Sequence, residues 1–431
     1  MRPRTWVLVL AAVFAVLQLA NVTGRDTPDS KNYVSYALSL GGADRREAAA
    51  GTVDWACAGK ASAAERAQSV NVVRFHAPSP AGRVFAECRQ DELRRVERRW
   101  AAGQTDGHIV PFVGPRLRAI FEVRPGYPVF LLPFVTVFGV TWGVWLASVL
   151  VTVVGGVLAF LVLRTVSVTV PLALTGQALY YVLPVGTTAM RPMTEGLMLA
   201  LTLTAVWGCA LALTRRARAG TALVAGALLA LFAVKHAQAL FLGVCLAGAG
   251  AVVAVSRRRH GRAAGRGVVA IAAAGCAAAV GTLVLARMLR YPSESESLQD
   301  LLTNHYTHPD RVRPWPEFLQ LEWEFWAEWL RRQLLAPLFP AALAAGVWGA
   351  LRRPALGVFL TAAAGTGFLT QAGHPDINIW GDRLIVLAWL LPVVGVPLLL
   401  EPLVHRMVPV PVQGSLDEVS DGGLSEAHSM R

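Results

Sequence analysis

Residues 127–163 read YPVFLLPFVTVFGVTWGVWLASVLVTVVGGVLAFLVL, with no acidic, basic or histidine side chain among them. A membrane-crossing helix needs about 20 apolar residues, so this run is too long for one span. It is either two crossings or a half-inserted piece (127–139) followed by one true span (141–163). Charge decides between them. With a single crossing here and Arg2 and Arg4 in the cytoplasm, the cytoplasmic loops collect Arg164, Arg215, Arg216, Arg218, Arg257 to Arg259, Arg262, Arg266, Arg352, Arg353 and Arg406. Two crossings would export the cluster Arg257 to Arg266, against the tendency of basic residues to stay inside. One crossing is therefore expected. The remaining apolar runs lie near 5–22, 167–186, 195–213, 219–234, 237–255, 267–289, 333–351, 355–372 and 384–402, giving about ten spans with both termini cytoplasmic.

Composition agrees. A hydrophobic fraction of 54%, 16% charged residues and a mean hydropathy of +0.47 exclude a soluble globule and describe an all-α polytopic membrane protein. The net charge of +12 is carried almost entirely by arginine, the lysines being Lys31, Lys60 and Lys235 alone. That charge fits cytoplasmic loops and calls for no nucleic-acid partner. No internal repeat is visible.

The organisation that follows is a signal-anchor helix (1–22), an extracytoplasmic loop with an acidic motif (23–126), a transmembrane bundle (127–289), and a second extracytoplasmic loop (290–332). C-terminal spans (333–405) and a disordered cytoplasmic tail (406–431) complete it. In the first loop Cys57 and Cys88 form a candidate disulfide, since exported cysteine pairs oxidise, while Cys209, Cys245 and Cys276 lie in apolar runs and stay thiols. Residues 91–100 (DELRRVERRW) read as a solvated or surface helix laced by ion pairs. In the second loop Leu319, Trp323, Trp326 and Leu330 recur at helical spacing, and tryptophan favours the headgroup boundary. The stretch predicts a helix on the outer leaflet.

The polar groups that neither solubility nor topology explains fall on one side of this layout. Asp26 and Asp29 follow the first span within RDTPDSKNY (25–33). Arg124 and Tyr127 belong to RPGYP at the mouth of the next run, and Glu195 to MTEG (193–196), which opens another. Lys235 and His236 occupy a tight outer turn, and His374, Asp382 and Arg383 the last outer loop. Each alone has a plain reading: loop acids favour helix starts, and charges near the end of a span cost little to keep. Their shared side is what points to a site.

With the first span, the acidic pair, Arg124–Pro128 and Met193–Gly196 in hand, the chain resembles the GT-C membrane glycosyltransferases. It is most similar to the polyprenyl-phosphate-sugar-dependent mannosyltransferase and aminoarabinose-transferase-like members, over roughly residues 1–400. The resemblance departs at the acidic pair, which many relatives hold as adjacent residues; here Thr27 and Pro28 intervene. It departs also in that a soluble C-terminal domain of the kind some oligosaccharyl- and arabinosyl-transferases carry is not expected after the last span. The resemblance implies a plasma-membrane transferase that moves a hexosyl or pentosyl group from a polyprenyl-phosphate carrier to an envelope glycan, lipid or protein acceptor on the outer face.

Such a reaction has a phosphate leaving group and needs no general acid, unlike glycoside hydrolysis. It needs one carboxylate to take the acceptor proton and cations to hold phosphate. Asp26 is the first expectation for the base, with Asp29 as alternative or helper. Arg124, Lys235 and Arg383 are the expected phosphate clamps, with His236 and His374 donating to phosphate or sugar. Glu195 and Asp382 hold hydroxyls or position the cations. A divalent metal on Asp26 and Asp29, with His374 and Asp376 nearby, is an open option that no ligand spacing demands. The rival classes are a transporter or lipid flippase, whose internal symmetry and mid-membrane polar groups are not visible, and an envelope scaffold.

Overall fold

The computed structural model describes residues 2–214, 216–376 and 383–407. Among them every regular element is helical and no strand occurs. In chain order the helices are α1 (Pro3–Gln18), α2 (Ser30–Leu40), α3 (Arg45–Ser69), α4 (Ala81–Ala101), α5 (Pro115–Glu122), α6 (Gly126–Thr165), α7 (Val170–Val182) and α8 (Pro184–Ala189). They continue as α9 (Thr194–Leu213), α10 (Ala217–Arg259), α11 (Arg266–Met288), α12 (Glu294–Leu302), α13 (Pro314–Leu335), α14 (Leu338–Leu351), α15 (Pro354–Ala372) and α16 (Leu390–Met407). Among the described residues seven helices are long and apolar enough to cross a bilayer, or up to eight if the bent pair α13–α14 is one span.

That count is below the ten expected, for local reasons. The run 167–186 is broken before Pro184, where Leu183 is extended (ψ 169°), as a residue preceding proline prefers. The run 333–351 yields only the 14-residue α14, which leaves α13 at a bend of 88°. The runs 219–234 and 237–255 are joined in one element, α10.

The two longest helices are not straight rods. At about 1.5 Å per residue, the 43 residues of α10 would extend roughly 65 Å, twice a hydrocarbon core of about 30 Å. Instead Lys235 is extended (φ −161°, ψ 90°) and the chain reverses there. The first half packs on α9, Gly208 meeting Gly220, and the second half on α11, Gly243 meeting Gly275. In α6 the break falls at Gly139, whose φ of 70° lies in the left-handed region that suits glycine. Its short arm folds back on the long one, so a Cβ on Gly143 would lie 2.5 Å from the Phe134 carbonyl oxygen.

A large apolar core runs through α6, α7, α9, α10, α15 and α16, and a second cluster of Tyr33, Phe121, Tyr127, Leu131, Val144 and Met193 sits at one end of it. Over that end α2 to α5 form a cap. Helix α3 starts on a capping box: Asp44 accepts from the Arg46 and Glu47 amides (2.7 and 2.9 Å), and Glu47 accepts from the Asp44 amide (3.1 Å). The Cys57–Cys88 disulfide joins α3 to α4. Within the expected solvated helix, Glu92 is buried instead, because it takes Lys31 at 2.8 Å and Lys60 at 3.8 Å.

Helix α13 forms where the tryptophan spacing predicts it, but its wheel is split differently. Leu319, Trp323, Leu330 and Leu334 are exposed, whereas Trp326 and Trp329 turn inward against Phe368 and Phe339. Residues 408–431, most of the expected tail, lie outside the described residues.

Candidate functional site

Residues distant in the sequence meet where the cap rests on the bundle. Asp29 is the N-cap residue of α2, Glu195 lies in the first turn of α9, Lys235 is the break in α10, and Arg383 precedes the 3-10 turn Val386–Trp389 that leads into α16. Arg383 is the hub. Its Nη2 donates to Asp29 Oδ2, and its Nε donates to Glu195 Oε1 at 3.2 Å. Lys235 Nζ stands 4.0 Å from the same Glu195 oxygen, and Thr194 Oγ1 donates to the other at 3.2 Å. Glu195 is 1% exposed, so this arrangement is what permits a carboxylate there. Burial opposes the charge on Arg383, yet Glu195 and Asp29 more than offset it and hold its pKa above the ordinary value.

Arg124 enters from the turn between α5 and α6. The buried Tyr33 hydroxyl lies against its guanidinium, and the Tyr33 ring meets Phe121 and Tyr127 edge-on with centroids at 5.5 and 5.4 Å. Tyr127 is 2% exposed, its hydroxyl beside Ser148. Gly126 lets this turn touch the α10 reversal: a Cβ there would fall 2.8 Å from the Val234 backbone nitrogen. Arg124 thus comes close enough to Lys235 and His236 for their charges to interact. Arg124 Nε and His236 Nδ1 are buried with no hydrogen-bond partner among the described residues. The His236 ring leans on Tyr291 at 5.0 Å.

His374 closes one side, near Lys235, Asp300, His305 and Asp376; burial pushes its ring pKa down. Asp300 and His305 come from the segment after α11, with His305 Nδ1 3.0 Å from Asp300 Oδ1. That bond raises the His305 pKa, and Asp29 and Asp376 act in the same direction.

Asp29, Arg124, Tyr127, Glu195, Lys235, His236, His374 and Arg383 are therefore brought together, and Asp26 is not. The chain turns at Thr27, whose amide donates to Ser30 Oγ at 2.9 Å, and this sends Asp26 back against Gly59 of α3, near Lys60 and Lys31. Burial pushes its carboxyl pKa up, the two lysines pulling against it. Asp26 and Asp29 thus face different neighbours, and of the expected acidic pair it is Asp29 that joins Arg383. Among the described residues no group of three or more His, Cys, Asp or Glu side chains is disposed to hold a metal ion. Asp382 lies outside the described residues.

Sequence reasoning missed Tyr33, Asp300 and His305. Tyr33 had a signal: it follows Asp29 by four residues, hence shares its helix face. Asp300 had none. Comparison with models of protein families, with curated proteins and with solved structures finds no match to this chain.

Proposed function

We infer that the chain is a polytopic plasma-membrane glycosyltransferase that uses a polyprenyl-phosphate-linked sugar. Its site faces the extracytoplasmic side and both termini are cytoplasmic. In this reading α10 contributes two antiparallel crossings, and α7 with α8, and α14 with its bend from α13, complete the set of about ten. The support for sidedness is that Arg216, Arg257 to Arg259, Arg266, Arg352 and Arg353 gather at helix ends opposite the Lys235 reversal.

The observation that carries the chemistry is an unbalanced charge. Among the described residues Arg124, Lys235 and Arg383 face two carboxylates, Asp29 and Glu195, and two buried nitrogens, the donor Arg124 Nε and His236 Nδ1, have no hydrogen-bond partner. A surplus cation with an unspent donor in a protected site is a receptor for an anion. A lipid phosphate supplies that anion, and its chain has the bilayer beside it.

Transfer then proceeds at the anomeric carbon. The acceptor oxygen forms the new bond, the bond from the anomeric carbon to the phosphate oxygen breaks, and the electron pair leaves with the phosphate, which Lys235 and Arg124 stabilise. The acceptor hydroxyl proton goes to Asp29. Arg383 holds one oxygen of that carboxylate, Oδ2, and the side chain keeps a quarter of its surface exposed (25%). Glu195 fixes Arg383 and Lys235 in place. An acceptor of sugar, lipid or protein nature reaches the site from the cap side.

The test is release of polyprenyl phosphate from polyprenyl-phosphate hexoses and pentoses by the purified protein. Asp29→Asn is expected to slow release by about 10²- to 10⁴-fold, and Asp26→Asn to leave it within about twofold. Equal rates for Asp29→Asn and the natural protein would remove Asp29 as the base. Failure of the natural protein to bind or consume any such lipid would remove the transferase reading.

A further inference from the structure

The segment between α11 and α13 is built more firmly than a surface connection needs. Gln299 is 7% exposed and exchanges two hydrogen bonds with the Arg311 backbone, Nε2 to the carbonyl at 2.9 Å and the Arg311 amide to Oε1 at 2.8 Å. The buried Thr303 hydroxyl donates to the Gln299 carbonyl (2.6 Å) and accepts from the Tyr306 amide (3.1 Å). From outside, Arg116 of α5 bonds Glu296 and Asp310 and lies 4.2 Å over the Tyr306 ring. This scaffold holds Asn304, His305 and Tyr306 at φ of 50°, 59° and 59°, a left-handed run that non-glycine residues avoid. Such conformations persist only where the surroundings impose them, and they concentrate at working sites.

The run presents His305. Its Nδ1 is engaged by Asp300, which fixes the ring, while 49% of the side chain stays exposed. Asp300 is held with only 12% of its side chain exposed. The charges that act on His305 are carboxylates: Asp300, Asp29 and Asp376. The two sides of the site thus differ in sign. Around Lys235 and Arg124 cations prevail and an anion is favoured. Around His305 the fixed carboxylates repel an anion, and together with the imidazole they suit a neutral molecule that offers hydroxyls to both.

We propose that His305, oriented by Asp300, is the acceptor-contacting residue of the site, and that the acceptor is a neutral carbohydrate entering between this segment and Asp29. The assignment rests on the transferase reading above and adds to it the acceptor class and the side from which it comes. Here His305 hydrogen-bonds a hydroxyl next to the attacking one and sets which hydroxyl reaches Asp29.

The test uses the full chain in lipid nanodiscs with two probes: a polyprenyl phosphate, and a panel of methyl glycosides of hexoses and pentoses added once that lipid is bound. His305→Asn is the main variant, because asparagine tolerates positive φ; Asp300→Asn is the second. The natural protein should bind at least one glycoside, and both variants should bind it about tenfold more weakly while keeping polyprenyl phosphate affinity within about twofold. Unchanged glycoside affinity in His305→Asn, an equal loss of both ligands, or no glycoside binding by the natural protein up to about 100 mM would overturn the proposal. A natural protein that binds glycosides but no polyprenyl phosphate would instead sink the donor reading on which it rests.

Discussion

Glu92 and Glu195 are both buried carboxylates held between two cations, and the chain spends all three of its lysines on these two clusters. Around Glu92 both lysines are engaged: Lys31 bonds Glu92, Lys60 stands beside Glu92 and Asp26, and Arg95 acts on Glu92 from the same helix. Such a set ties helices together, here α2, α3 and α4, and is complete in itself. Around Glu195 Arg124 joins Lys235 and Arg383, and its Nε has no acceptor among the described residues. The difference between a strut and a receptor is therefore where the unspent hydrogen bonds lie: among the described residues Lys31 and Lys60 leave no buried nitrogen without a partner, whereas Arg124 Nε has none.

Four perturbations would break or sharpen that contrast. The largest effect is expected from Arg383→Met, which leaves Asp29 and Glu195 without their shared guanidinium. Removing one member of a buried pair costs about 3–5 kcal/mol, read as a fall in the denaturation midpoint, and adding Glu195→Gln should restore much of it. If Arg383→Met is as stable as the natural protein, the hub assignment is wrong. Next comes Cys57→Ser with Cys88→Ser, worth about 2–4 kcal/mol, which should loosen α3 against α4 in hydrogen exchange without altering lipid-phosphate affinity.

Lys31→Met should cost less, about 1–2 kcal/mol, because Lys60 remains beside Glu92. Its pH dependence has a definite sign. Burial opposes the Glu92 charge, but the Lys31 bond and both lysines lower its pKa overall. The contribution is therefore fully present above the unfolded value near pH 4.3 and is lost as pH falls through the folded value. The gap between Lys31→Met and the natural protein should close on acidification; a gap that widened would contradict the pairing. The smallest change is expected from Asp26→Asn. With its folded pKa raised by burial, the charged carboxylate is disfavoured in the folded state at neutral pH, so neutralising it should move stability by no more than about 0.5 kcal/mol, and a large loss in a thermal melt would refute that.

Much of the site was legible because membrane placement leaves few reasons for a charge. Lys235 beside His236, between two short apolar runs, signalled a turn, and the division of the overlong run into 127–139 and 141–163 falls at the break at Gly139. Arg124–Pro128 and Glu195 could be placed at helix starts from proline and hydropathy alone. The choice between Asp26 and Asp29 could not be made that way. Two residues separate them, and the Thr27–Ser30 hydrogen bond, a local turn, sends one to the cap and the other to the bundle. The His305 segment was illegible for a related reason: its left-handed run uses Asn, His and Tyr rather than glycine, so composition does not flag it. The helices long and apolar enough to cross number fewer than the expected spans where helices bend, because apolar length says how much chain a bilayer would accept and nothing about Pro184 or the 88° turn before α14.

The central claim is that the unmatched charge at Lys235 and Arg124 receives a lipid phosphate whereas the cluster at Glu92 receives nothing. It is tested most directly by the affinity of the full chain in nanodiscs for a polyprenyl phosphate, comparing Lys235→Ala with Lys31→Met. The account predicts a loss of at least about tenfold for Lys235→Ala and no change for Lys31→Met. Equal affinities for Lys235→Ala and the natural protein, or a matching loss in Lys31→Met, would contradict it.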